Sequence, residues 1–147
     1  MQPTIAIAVT TGVVLLATVV GLVWRARTGR MRTAVADRSF PAGSLPGLDA
    51  LASGATLVQF STEYCAQCPA TRRLLSGVAR ERGGVAFLDV DLTRDPDLAR
   101  RLGILQTPTV FILDGAGRLV GRVGGTPRRT ELVGVLDTLA PLPEWSL

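Results

Sequence analysis

Glu63-Tyr64-Cys65-Ala66-Gln67-Cys68-Pro69 lies between the apolar run Thr56-Leu57-Val58-Gln59-Phe60 and a segment of helical period. Its cysteines are the only two in the 147-residue chain, and they stand three apart where a strand turns into a helix. That spacing lets the two sulfurs meet across a short loop and close a disulfide, with Cys65 expected at the helix cap and Cys68 one turn on. Unpaired backbone N–H groups and the positive end of the helix dipole favour a thiolate on Cys65. A thiolate beside a resolving thiol is a redox couple, and C-x-x-C at a strand-to-helix junction is a stronger sign of one than the spacing alone.

Other uses of the pair follow from ligand chemistry. A structural zinc site takes four cysteine or histidine ligands, and this chain has two cysteines and no histidine. Two thiolates suffice for Cu(I), a soft ion. Two inert core thiols are a third alternative. Redox exchange is the leading reading, and no metal site is expected.

All 16 basic residues are arginine. Schiff-base chemistry needs an amine that can lose its proton, and most hydrolytic nucleophiles need an imidazole, so both classes fall away. Neither G-x-x-x-x-G-K-[ST] nor G-x-G-x-x-G after a strand is present. The net charge of +4 suggests an anionic partner, but its distribution does not. Arg25, Arg27, Arg30, Arg32 and Arg38 share one short stretch, while from Pro41 onward 11 arginines balance 11 carboxylates. Aromatic residues are few and not interleaved with the arginines, so no nucleic-acid partner is expected.

Ile5 to Trp24 is twenty residues without a charge, enough to cross roughly 30 Å of hydrocarbon as a helix. A cleaved signal peptide would carry positive residues before a shorter apolar stretch, whereas Met1-Gln2-Pro3-Thr4 has no charged side chain. Residues 1–24 are therefore read as an uncleaved transmembrane anchor. Arginines crowd its C-terminal flank, so the positive-inside rule puts the N-terminus outside and the main domain in the cytoplasm; the extracytoplasmic face is the alternative. Ala8-x-x-x-Gly12 and Ala17-x-x-x-Gly21 have small-residue spacing, but such pairs are common in apolar segments. Residues 25–47 read as a basic linker broken by Pro41, Gly43, Pro46 and Gly47, anchored at lipid headgroups by its arginines.

Residues 48–140 alternate in period. Leu48 to Ser53 suggests a short helix, Thr56 to Phe60 a strand, and Ala70 to Arg82 a helix with Leu74, Leu75, Val78 and Ala79 on one face. Val85 to Asp91 is apolar on both faces over most of its length, as an interior parallel strand is. Asp95-Pro96 starts a helix that Gly103 ends. Thr109 to Leu113 and Leu119 to Val123 form a hairpin around Asp114-Gly115-Ala116-Gly117. Thr126-Pro127 is expected to cap a last helix bearing Leu132, Val135, Leu136 and Leu139. Residues 141–147 read as an irregular tail, with Trp145 a packing contact.

The resulting order β-α-β-α-β-β-α, with C-x-x-C after the first strand and Thr107-Pro108 before the hairpin, resembles the thioredoxin family. The resemblance implies an α/β class, thioredoxin-like fold: a mixed sheet flanked by helices, here with an N-terminal transmembrane helix. It implies that Cys65 attacks a substrate disulfide, that Cys68 resolves the mixed disulfide, and that Pro108 is cis and lies beside the pair. It further implies that Tyr64 shields the sulfurs, that Thr107 meets the substrate chain, and that Gly124 or Gly125 borders the groove. Family members usually carry Gly-Pro between the cysteines, a buried aspartate in the first of these strands and a lysine in the next. Here Ala66-Gln67 separates the cysteines, Gln59 and Phe87 are read at the other two places, and Pro69 removes one N–H from the helix start. Gln59 cannot accept a proton as a base, so slower resolution is expected.

The function read from the sequence is a membrane-tethered thiol–disulfide oxidoreductase without cofactor, acting on protein disulfides and fed by an unidentified electron donor. The alternative is a thioredoxin-like binding module, or a Cu(I) carrier, for a membrane partner.

Overall fold

The computed structural model describes residues 3–27, 31–33 and 38–140. Helix α1 spans Pro3–Arg27, long and apolar enough to cross a membrane, and Pro3–Ala26 buries nothing against the rest of the chain. Its Thr10 and Thr18 hydroxyls donate to the carbonyls of Ala6 and Val14 at 2.9 and 2.8 Å. Hydroxyls satisfied within their own helix need no water, which suits an apolar medium.

The remaining elements are strand β1 (Met31–Thr33), strand β2 (Ala55–Ser61), helix α2 (Cys68–Glu81), strand β3 (Val85–Asp91), helix α3 (Pro96–Leu102), strands β4 (Thr109–Asp114) and β5 (Leu119–Gly124), and helix α4 (Arg129–Leu139). The described strands form one sheet in the order β1-β5-β4-β2-β3. β2 and β3 run parallel, which requires a crossover, and α2 supplies it. β4 and β5 are the hairpin expected from the sequence.

Side-chain alternation sorts the core into two layers. Val58, Phe60, Phe111 and Leu113 pack on one face with Leu98 and Leu102 of α3. Leu57, Val110 and Ile112 pack on the other with Leu75 and Val78 of α2 and Leu132 and Leu136 of α4. Phe60 meets Phe111 edge-on at 4.8 Å between ring centroids, a favoured aromatic geometry.

Four expectations change. Among the described strands β3 is at the edge, hydrogen-bonded only to β2. Its apolar character on both faces is nevertheless used, since Phe87 packs against the α2 layer and Leu88 against the α3 layer. Two covered faces do not imply two paired edges. Leu48 to Ser53 is irregular with two bends rather than a helix, with Leu48 buried. α4 is capped by Arg128 without a side-chain bond, because the Thr126 hydroxyl instead lies 2.7 Å from that of Thr71 on α2.

The fourth concerns the stretch read as linker. Residues 31–33 pair antiparallel with β5, Ser39 bridges to Arg118, and Phe40 and Leu45 are buried in the α3-side layer. Prolines and glycines interrupt regular structure there but leave apolar side chains free to pack. Gly117, at φ +79°, permits the contact, since a Cβ there would sit 2.5 Å from the Phe40 carbonyl oxygen. The tail with Trp145 lies outside the described residues.

Candidate active site

The end of β2, the start of α2 and the loop before β4 meet at one end of the sheet. β2 ends at Ser61, and a turn closed by the Cys65 N–H on the Thr62 carbonyl (3.2 Å) leads to the cysteines. α2 begins at Cys68 with Gln67 as its N-cap, so Cys65 precedes the helix instead of capping it. Cys65 and Cys68 form a disulfide with Cα atoms 5.4 Å apart. The pair is asymmetric in exposure: Cys65 is half-buried, whereas Cys68 is 2% exposed. An incoming thiol or disulfide therefore reaches Cys65.

The Cys turn is tied down on two sides. The Thr62 and Thr107 hydroxyl oxygens lie 3.3 Å apart, which sets the loop before β4 against the turn. The Glu63 N–H donates to the Thr93 hydroxyl at 3.0 Å, and Thr93 in turn donates to Asp91. Those bonds hold the Asp91 carboxyl below the usual carboxylate range. Tyr64 stands open to solvent, its phenol raised above its ordinary value chiefly by the hydrogen bond with Glu63.

The Thr107-Pro108 bond is cis. The Pro108 carbonyl accepts from the Gly125 N–H at 2.7 Å, so Gly125 carries the backbone contact to this loop. Gly124 lies under a side chain the sequence did not point to: a Cβ on Gly124 would sit 2.7 Å from Gln106 Nε2.

Gln59 reaches the cysteines from below. It is fully buried in β2 on the α2 side, and its Nε2 donates to the Cys68 carbonyl at 3.1 Å. Its Oε1 is buried without a hydrogen-bond partner among the described residues. The residue opposite Gln59 in the β2–β3 register is Asp89, while Phe87 is opposite Leu57. Phe87, read with Gln59 at the places of the family's lysine and aspartate, is therefore not the residue opposite Gln59; Asp89, two residues further along β3, is. Asp89 accepts from the Ser61 hydroxyl at 2.6 Å and pairs with Arg72 of α2, a charge arrangement that only the register reveals.

The strand-to-helix disulfide, whose turn is joined through Thr62 and Thr107 to the loop with the cis proline, stands in a chain similar to known proteins. The family model for thioredoxin matches residues 48–138. The chain belongs to the thioredoxin family. Thioredoxin of Chlamydia muridarum is 33% identical over 89 residues, covering 60% of this chain and 86% of that protein. Thioredoxin of Mycolicibacterium smegmatis is 33% identical over 105 residues, covering 67% and 89%. Among solved structures, thioredoxin f2 of Chlamydomonas reinhardtii superposes with a TM-score of 0.53 at 20% identity over 63% of this chain and 84% of that one, a likeness of fold. Spinach chloroplast thioredoxin F gives a TM-score of 0.51 at 27% identity, covering 60% and 78%. This thioredoxin-family chain is a thiol–disulfide oxidoreductase whose redox pair is Cys65 and Cys68.

Proposed function

We propose that this thioredoxin-family protein is a membrane-tethered reductase of protein disulfides. The observation that carries the reading is the unequal exposure of the two sulfurs, Cys65 half-buried and Cys68 2% exposed. The Cys65 thiolate attacks one sulfur of the substrate disulfide, forming a mixed disulfide and expelling the other sulfur as a thiolate. Cys68 then loses its proton and attacks the Cys65 sulfur, releasing the second substrate thiolate and leaving the Cys65–Cys68 disulfide. Two electrons pass from the dithiol to the substrate, and a separate thiol donor restores it.

Tyr64, Thr107, Pro108 and Gly124 line the substrate path in this reading. Residues 1–24 anchor the chain, and the stretch 25–47, whose residues 31–33 join the sheet and whose Phe40 and Leu45 enter the core, leads into the redox domain of residues 48–140. The arginines after α1 favour a cytoplasm-facing domain, where a reducing environment suits a reductase.

The test uses the full chain in membrane vesicles. A Cys68→Ser variant should accumulate a reducible adduct with substrate at Cys65, and Cys65→Ser should abolish disulfide reduction. A reduction potential near about −270 mV fits a reductase, and one near about −120 mV would reverse the direction of electron flow. Labelling of Cys65 by a membrane-impermeant maleimide only in inside-out vesicles would fix the orientation. Retained activity in Cys65→Ser would overturn the reading.

A further inference from the structure

Outside α1, the large apolar side chains most open to solvent among the described residues are Tyr64, 87% exposed, and Leu105, 96% exposed. A single exposed leucine is ordinary on a protein surface. Its location here is not, because the Thr62–Thr107 hydroxyl contact joins the two loops that carry this pair. Tyr64 directly precedes Cys65, and Leu105 stands two residues before Thr107.

Leu105 is also displayed on a fixed loop. On one side Gly103 caps α3 in the left-handed conformation, the Ile104 N–H donates to the Ala99 carbonyl at 2.8 Å, and the Arg122 guanidinium donates to the Gly103 carbonyl at 2.5 Å. On the other side the Thr109 hydroxyl donates to the Gln106 carbonyl at 2.7 Å. A loop whose backbone is already fixed loses little freedom when a partner covers it. From Gly103 to Leu113 the chain has no charged residue, so the Leu105 side of the rim offers a partner apolar contact, while Glu63 beside Tyr64 carries the charge on the other side.

We infer that Leu105 and Tyr64 act as a two-point apolar clamp that selects polypeptide disulfides whose reactive cysteine is flanked by a large aliphatic or aromatic side chain. The inference rests on the reductase reading of Cys65 and Cys68 and names the substrate class of that site. Gln106, lying over Gly124, closes one side of the same rim with an amide.

The test uses the full chain in detergent or nanodiscs with two disulfide-bonded peptides, identical except for leucine or serine beside the reactive cysteine. The wild-type protein should favour the leucine peptide in kcat/KM by about tenfold, the effect of burying most of one aliphatic side chain. Leu105→Ser should remove most of that preference through KM, and Leu105→Phe should retain it. Equal kcat/KM for the two peptides in the wild type, or a Leu105→Ser variant that keeps the preference, would overturn the clamp. Reduction of hydroxyethyl disulfide by the wild type separates the two readings. If it is turned over while the peptides are not distinguished, only the clamp fails; if it is not turned over, the reductase reading fails and the clamp with it.

Discussion

β2 and β3 are parallel neighbours of seven residues each, yet one is wholly buried and the other only half. Both have their two faces covered by helices. They differ in their edges, since among the described strands β2 lies between β3 and β4 and β3 has a partner on one side only. That difference decides what polar groups each tolerates. β2 carries neutral Gln59, bonded to the Cys68 carbonyl, at the position where β3 carries charged Asp89, held by Ser61 and Arg72. A carboxylate sits where water and a guanidinium reach it, and an uncharged amide where they do not.

The comparison breaks most sharply in the core. Leu57→Ala, in fully buried β2, should lower stability by about 2–5 kcal/mol, and Leu88→Ala in half-buried β3 by about half as much. Urea midpoints followed by circular dichroism would decide it, and equal losses would mean that β3 is covered along its open edge.

Charge placement gives a second test. Gln59→Asp puts a carboxyl among buried neighbours, where desolvation raises its pKa above the unfolded value of about 3.9. Because the folded pKa is the higher one, the variant loses stability as pH rises from the unfolded pKa through the folded one. The same carboxylate can take the Cys68 proton and speed resolution by up to about 100-fold. Turnover in disulfide reduction that fails to rise would show that Gln59 does not limit the resolving step. The smallest effect belongs to the partner strand. Asp89→Asn should cost under about 1 kcal/mol, less at high salt, because the Arg72 side chain is 55% exposed. A larger loss would place the Arg72–Asp89 pair in the structural core alongside Gln59.

Much of this was legible in the residues. The C-x-x-C junction, the β4–β5 hairpin, the Asp95-Pro96 start of α3 and its Gly103 stop all depend on neighbours within a few positions, and each was found where the sequence put it. The misreadings share a different cause. Thr126 looked like a cap because capping is local, but its hydroxyl is engaged with Thr71, 55 residues away. Phe87 was read at the place of the family's lysine because one strand cannot report its register against another, and a slip of two residues keeps every side chain on its face. Leu105 and Gln106 gave no signal, since exposure belongs to the folded surface.

By itself the sequence determined the redox pair, the apolar N-terminal helix and the order of strands and helices from β2 to α4, because periodicity, turn residues and cysteine spacing act over a few residues. Only the tertiary structure decided which strand was left at the edge, which carboxylate stands beside Gln59, which sulfur solvent reaches and which leucine is held open next to it. Those outcomes depend on contacts between segments far apart in the chain, whose register and exposure are fixed only when the layers close on one another.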